Sequence, residues 1–250
     1  MYDPVKMPDS DEKDRDVFRS MGPMSEASER AGAFFGRRKG KKLRAGQDEL
    51  VQSLLPAIRA IPGRDLPSQF PNQEARQTWL EIGFGGGEHL AVQARAHHDV
   101  HFLGCEPFVN GMAKLLAVIE HERLDNVRVW DDDVTDLLPT LPDASFDRVY
   151  ILYPDPWPKR RQRKRRLVSD EMLETLARVM KPGAELRFAS DIDDYIGWVL
   201  ARTLRSPHFR WKAARADDWR KPYEGWPGTR YEAKAIREGR VPSYLTFVRI

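Results

Sequence analysis

Between residues 78 and 250 the chain alternates apolar runs of strand length with stretches whose apolar residues recur at helical spacing. No other feature restricts the architecture as much. Repeated strand–helix–strand units fold into a mainly parallel sheet with helices on both faces. The runs are TWLEIGF (78–84), VHFLGCE (100–106), NVRVW (126–130), VYILY (149–153), AELRFASD (184–191), FRWKAA (209–214) and SYLTFVRI (243–250). Between them, Leu90 to Val92, then Met112, Leu115, Leu116 and Ile119, then Met172, Leu173, Leu176, Val179 and Met180, and finally residues 195–204 mark helices. The helix at 172–180 is expected to stop at Lys181-Pro182-Gly183. Upstream, Leu50, Val51, Leu54, Leu55 and Ile58 mark a first helix, and residues 216–240 read as a polar loop. No internal repeat interrupts the series.

Open sheets of this kind bind ligands beyond the carboxyl ends of their strands, so the residues there carry the chemistry. The first turn reads Glu81-Ile82-Gly83-Phe84-Gly85-Gly86-Gly87-Glu88. Gly83, Gly85 and Gly87 allow positive φ and close approach of a ligand to the backbone. Glu88 stands where a dinucleotide fingerprint wants its third glycine, which argues against a nicotinamide-dependent oxidoreductase. What remains is acid-x-G-x-G-x-G after a strand, the pattern of class I S-adenosylmethionine methyltransferases. Glu81 could meet that cofactor's ammonium or simply order the loop. Glu106 closes the second strand about 20 residues on, where an acid can accept from ribose hydroxyls. Asp133 closes the third and can meet an adenine edge, with Asp131 and Asp132 as rivals.

After the fourth strand, Asp155 stands between Pro154 and Pro156, and Trp157 and Pro158 follow. Each proline removes an N–H and fixes its φ, so Asp155 sits on a stiff backbone. Seven of the eight residues from 159 to 166 are then basic, as expected where phosphates are met. A second basic patch has six cations among residues 37–44, just after Phe34 and Phe35. As structure alone, these runs would be a localisation signal, a solvated loop and a flexible arm.

Composition sets the outer limits. A length of 250 residues suits one large α/β core, and 41% hydrophobic with 32% charged residues describes a globular protein with a strongly ionic surface. Net charge is only +3, so the clustering of the cations matters more than their excess. Residues 1–33 are polar and expected to be disordered, leaving 34–250 as a single catalytic domain. Cys105 is the single cysteine, which excludes an internal disulfide and a cysteine-cluster zinc site. No histidine spacing suggests a metal, and no apolar run reaches the roughly 18 residues of a membrane span. The expected setting is the cytoplasm, as a monomer or homodimer, with no membrane and no metal.

These motifs together resemble the bacterial tRNA (guanine-N7-)-methyltransferases from about Phe35 to the C-terminus. YPDPWPKRRQRKRR (153–166) is similar to the family's aromatic-Pro-Asp-Pro-Trp-x-Lys signature with its basic tail, and EIGFGGGEHL (81–90) to its cofactor turn. CEPF and DDDV fit its second and third acidic positions. FASD (188–191) resembles its Ala-Thr-Asp step with Ser190 for threonine, and Thr229-Arg230-Tyr231-Glu232 its Thr-x-Phe-Glu motif with tyrosine for phenylalanine. The resemblance implies a Rossmann-like class I methyltransferase fold: seven strands, mostly parallel, helices on both faces, the last strand antiparallel. It implies methyl transfer from S-adenosylmethionine to the variable-loop guanine of tRNA (position 46 in tRNA numbering), releasing S-adenosylhomocysteine. Glu81, Glu106, Asp133 and Asp155 would contact the cofactor, and Asp155 would be catalytic. Lys159, Asp191, Thr229, Arg230, Tyr231 and Glu232 would meet the substrate. Arg160, Arg161, Arg163, Lys164, Arg165 and Arg166, with Arg37, Arg38 and Lys39, would lie on RNA. The competing readings are a class I methyltransferase of small molecules, which leaves both basic runs unexplained, and a non-catalytic RNA-binding protein of the same fold, which predicts a damaged turn.

Overall fold

The computed structural model describes residues 36–250, which fall within one compact unit. The expected disorder of residues 1–33, and Phe34 and Phe35, lie outside the described residues. Helix α1 (Ala45–Ile58) precedes strand β1 (Gln77–Ile82). Then follow α2 (Glu88–Ala96), β2 (Val100–Cys105), α3 (Val109–Glu122), β3 (Val127–Trp130), α4 (Val134–Leu137), β4 (Phe146–Leu152), α5 (Asp170–Val179), β5 (Met180–Ser190), α6 (Asp193–Thr203), β6 (Phe209–Trp211), α7 (Asp217–Arg220), α8 (Arg230–Arg237) and β7 (Ser243–Arg249).

The sheet order is β3-β2-β1-β4-β5-β7-β6. Pairs from β3 to β5 are parallel, whereas β7 runs antiparallel to both β5 and β6. This is the expected sheet with its antiparallel last strand. Strand order reverses between β1 and β4, so a crevice opens beyond their carboxyl ends.

Strand side chains alternate between two cores. On one face Leu80, Ile82, Val149, Ile151, Leu186 and Phe188 pack with Leu173, Leu176, Tyr195 and Val199 of α5 and α6. On the other, Trp79, Phe102, Tyr150 and Leu152 pack with Leu90, Met112, Leu115, Leu116 and Ile119 of α2 and α3. The helical spacing read at 112–119 is the buried stripe of α3. Helix α3 also approaches the glycine turn closely: a methyl at Gly111 would sit 2.0 Å from the Gly85 carbonyl oxygen, so no larger residue fits.

Two expectations fail locally. Helix α5 ends at Val179, before the Lys181-Pro182-Gly183 triplet, and Met180 already pairs with Phe146. The triplet forms a bulge, after which the register resumes at Arg148 with Glu185. Proline has no N–H for the ladder and Gly183 takes φ +85°, so the same residues that stop helices suit a bulge. The region 216–240 is not a loop throughout, since it holds α7 and α8. Helix α8 starts at a capping box: Glu232 N–H donates to Thr229 Oγ1 at 3.1 Å, and Thr229 N–H donates to Glu232 Oε2 at 3.3 Å.

Candidate active site

The turn after β1 holds Gly83, Gly85 and Gly87 at φ +75°, +59° and +78°, conformations that a side chain would strain. Beside Gly83 a Cβ would meet nothing within 4 Å, so the backbone there is open to a ligand. The hollow at this point is lined by Glu81, Gly83, Phe84, Glu88, His89, Leu152, Thr229 and Tyr231. It therefore joins the glycine turn, the end of β4 and the start of α8.

Glu81 is buried, and its Oε2 accepts from His89 Nδ1 at 2.7 Å. Its Oε1 has no hydrogen-bond partner among the described residues, and Glu81 lines the hollow. One oxygen of Glu81 therefore orders the turn through His89. Glu106, also buried, accepts from Gly85 N–H on Oε2 at 2.7 Å and from Phe108 N–H on Oε1 at 2.9 Å. Burial raises its carboxyl above the ordinary range against the lowering effect of both N–H bonds, and the charge of Asp155 adds to the rise. Each carboxylate oxygen has two lone pairs, so both can still accept from a ligand hydroxyl.

The three aspartates differ in their partners. Asp131 pairs with Arg59 at 2.5 Å and Asp132 with Arg38 at 2.6 Å. Asp133 is buried and caps α4, taking Thr135 N–H on Oδ1 at 2.9 Å. The basic segment that supplies Arg38 is seated across the start of α3. Val109 N–H donates to the Arg38 carbonyl at 2.9 Å, and Gly40 N–H donates to Asn110 Oδ1 at 2.7 Å. Arg38 helps hold this segment through its carbonyl and its pair with Asp132, while its side chain stays half exposed. Arg37 and Lys39 remain exposed.

Asp155 follows β4 on a turn whose flanking Tyr153 and Trp157 have φ +50° and +40°. Non-glycine residues in that region cost on the order of 1–3 kcal/mol each and persist where the surroundings impose them. Although Asp155 keeps solvent exposure, the turn around it desolvates its carboxyl and raises it above the ordinary range. Among the described residues no hydrogen bond or ion pair neutralises it. Asp191, by contrast, is tied to Arg240.

The start of α8 folds over the glycine turn. A methyl at Gly85 would lie 3.1 Å from Tyr231 Cε2, and one at Gly86 2.4 Å from Arg230 Nη2. Tyr231 is exposed for a ring of its size, with 47% of its surface open beside the hollow. Glu232 points the other way. It is buried, accepts from Trp226 Nε1 at 2.8 Å and from the Tyr244 hydroxyl, and completes the capping box. These bonds give Glu232 a structural role at the start of α8.

The basic run from 160 to 165 is a short 3-10 helix. Lys159, Arg160, Arg161 and Lys164 are exposed along it. Arg165 stacks over Trp157 at 5.1 Å, and Arg163 pairs with Asp194 at 2.6 Å. Arg166, expected on RNA, is instead buried. Two residues at this site escaped sequence reasoning. His89 holds Glu81 while lying 4.7 Å from the Tyr150 ring and 5.1 Å from that of Trp226. Trp226 bridges that histidine to Glu232. Neither sits in a spacing pattern. Only the folded chain unites them.

A family profile described as a putative methyltransferase matches residues 75–243. A tRNA (guanine-N(7)-)-methyltransferase of Chelativorans sp. (strain BNC1) is 53% identical over 221 residues, covering 87% of this chain and 95% of that protein. The chain belongs to this family. A second relative of the same description, from Mesorhizobium japonicum, is 53% identical over 232 residues, covering 92% of this chain and all of that protein. The solved structure of a 16S rRNA methyltransferase, KamB, superposes with a TM-score of 0.52 at 19% identity over 71% of this chain and 90% of its own. At that identity the likeness concerns the fold, in which the family's turn, acids and proline loop occupy the crevice. Among the described residues no helix is long and apolar enough to cross a membrane, and no cluster of His, Cys, Asp or Glu could hold a metal.

Proposed function

We propose that this chain methylates N7 of the variable-loop guanine, position 46, of tRNA, using S-adenosylmethionine in the cytoplasm. The observation that carries the reading is Asp155: an unpaired carboxylate on a stiff turn, close enough to Glu106 to perturb it and flanked by exposed cations. Family membership supports the substrate, since the relatives above are described as tRNA (guanine-N(7)-)-methyltransferases.

The residues fit the cofactor. Glu81 lines the hollow beside the open backbone of Gly83, and its carboxylate can receive an ammonium there. Glu106 has lone pairs for ribose hydroxyls, and Asp133 stands at the end of β3 for the adenine edge. S-adenosylmethionine supplies an electrophilic sulfonium methyl when bound.

Guanine N7 carries an in-plane lone pair and no proton at neutral pH, so attack needs no general base. The protein's work is alignment and exclusion of water, and alignment of two reactants can supply roughly 7–11 kcal/mol of the barrier. Asp155 accepts from guanine N1–H and the exocyclic amine, which selects guanine over adenine. Its negative charge also favours the positive charge that develops on the base during transfer. Asp191, the other acid expected at the substrate, is paired with Arg240. Tyr231 offers a ring face to a base drawn out of the tRNA tertiary structure, and unstacking costs a few kcal/mol. Phosphate contacts from Lys159, Arg160, Arg161 and Lys164, with Arg37 and Lys39, offset that cost.

The test incubates the protein with labelled S-adenosylmethionine and unmodified tRNA, beside tRNA whose variable-loop guanine is replaced by adenine. Label in 7-methylguanosine that vanishes with the replacement supports the reading. Cofactor binding without label in tRNA would defeat it and favour a small-molecule substrate.

A further inference from the structure

The last residue of the basic run is turned away from solvent. Arg166 is 3% exposed, and its Nε donates to the Pro156 carbonyl at 2.8 Å. Its Nη2 pairs with the Asp194 carboxylate, and its Nη1 donates to the Asp194 carbonyl at 3.4 Å. The guanidinium lies over the rings of Tyr195 and Trp198, at 4.8 and 4.9 Å. Both rings are themselves tied to the segment just after Arg166. Val168 N–H donates to the Tyr195 hydroxyl at 3.4 Å, and Trp198 Nε1 donates to the Val168 carbonyl at 2.7 Å. Asp194 also takes Arg163 on its other oxygen at 2.6 Å. One carboxylate on α6 therefore anchors two arginines of the basic helix.

Pro156 is the neighbour of Asp155, and its carbonyl is the single backbone hydrogen-bonding group it has. From residue 154 to 158 three prolines have no N–H to give, and among the described residues the bond from Arg166 is the hydrogen bond that fastens this stretch. The stretch also carries left-handed Trp157 and follows left-handed Tyr153, conformations that last only where neighbours enforce them. We propose that Arg166 is a positioning residue for methyl transfer: through the Pro156 carbonyl and Asp194 it sets where Asp155 stands, and it meets no phosphate. The inference rests on the tRNA methylation reading above.

Phosphate contact and positioning leave opposite signatures. Losing a phosphate contact weakens tRNA binding and flattens the dependence of log Kd on log salt by about one unit of slope. Losing a positioning bond lowers kcat and leaves that slope alone, since a displacement of about 1 Å can cost on the order of 100-fold. The experiment compares wild type, R166Q, R166K, D194N and R160A. It measures kcat at saturating tRNA, tRNA Kd across a salt series and Kd for S-adenosylhomocysteine. The expected result for R166Q is a kcat lower by about 30-fold or more, with unchanged salt slope and unchanged product affinity. R166K, which keeps a donor towards Pro156, recovers part of kcat. R160A, from the exposed side of the helix, flattens the slope instead.

A flattened slope with intact kcat in R166Q would overturn the proposal. If R166Q does not fold, D194N decides. It preserves shape while removing the anchoring charge, so a several-fold fall in kcat at unchanged slope supports the proposal and an unchanged kcat defeats it. Wild type forming no 7-methylguanosine would defeat the methylation reading itself, a result distinct from an active wild type with an active R166Q.

Discussion

Glu106→Gln probes the centre of the site. The wild-type carboxylate serves two backbone donors, Gly85 N–H at 2.7 Å and Phe108 N–H at 2.9 Å, in a buried position. Glutamine has the same shape but one carbonyl oxygen, and its amide group turns donors towards one of those N–H groups. An orphaned buried donor costs about 1–3 kcal/mol. Relief of the buried charge, which raises the Glu106 carboxyl in the folded chain, offsets part of that. The net loss should be about 1–2 kcal/mol, or a fall in Tm of about 2–8 °C for a chain of this size. Cofactor binding suffers more. Two ribose hydroxyls donating to a carboxylate are worth about 1.5–3 kcal/mol each, and a neutral acceptor keeps only part of one. A loss of about 2–4 kcal/mol corresponds to roughly 30- to 1,000-fold in Kd. Titration calorimetry with S-adenosylhomocysteine reads the affinity, and scanning fluorimetry reads Tm on the same samples. A variant that binds within about 3-fold of wild type would refute the assignment of Glu106 to the ribose.

Asp155→Asn should lower kcat by about 100-fold or more, as losing one preorganised electrostatic contact does, while tRNA affinity changes little. Equal losses in both would sink its assignment to the reacting base. Because desolvation raises the Asp155 carboxyl, the acid limb of kcat/KM should lie above the ordinary aspartate range and disappear in that variant. Glu232→Ala strands Trp226 Nε1, Thr229 N–H and the Tyr244 hydroxyl, so urea unfolding should show a loss of about 2–4 kcal/mol. Intact stability with a greatly raised tRNA KM would return Glu232 to the substrate. His101 is buried against Phe70, and burial lowers its pKa despite its bond to the Asn72 carbonyl. The folded chain therefore holds that proton less well than the unfolded chain, so stability present above about pH 6.5 should fall as pH drops below it. Urea unfolding at pH 7.5 and 5.5 should show that fall, and it should shrink in His101→Phe.

The features whose local geometry is legible in the sequence are those written over a few consecutive residues. The glycine turn, the acids closing β1, β2 and β3, and Asp155 between its prolines each carry their geometry in local backbone preferences. Direction of side chains is a different matter. Arg166 and Arg160 look alike in a basic run, yet one is buried over two aromatic rings and the other is exposed. Glu232 sits in a motif associated with substrate, but its carboxylate serves Trp226 and Tyr244, which approach from elsewhere in the chain. His89 announces itself by no spacing at all, since its partner Glu81 lies across the turn. Lys181-Pro182-Gly183 illustrates the converse limit. Residues that halt a helix also make a bulge, and the sheet partner, not the triplet, decided which. The capping box at Thr229 and Glu232 is a local signal of α8 that the reading of 216–240 as a polar loop passed over.

The position of β7 between β5 and β6 fixes the order in which the protein can be completed during synthesis. Strand β6 leaves the ribosome first but has no place beside β5, because that edge belongs to a strand not yet made. Everything between them in sequence, α7 and the Arg230–Tyr231 cover over the glycine turn included, waits on the arrival of residues 243–249. The cofactor half of the site can form early from β1 to β4, whereas the half that faces the nucleic acid closes last. A nascent or truncated chain would therefore offer an exposed β5 edge and a half-built crevice, the kind of intermediate that aggregates unless the final strand arrives promptly.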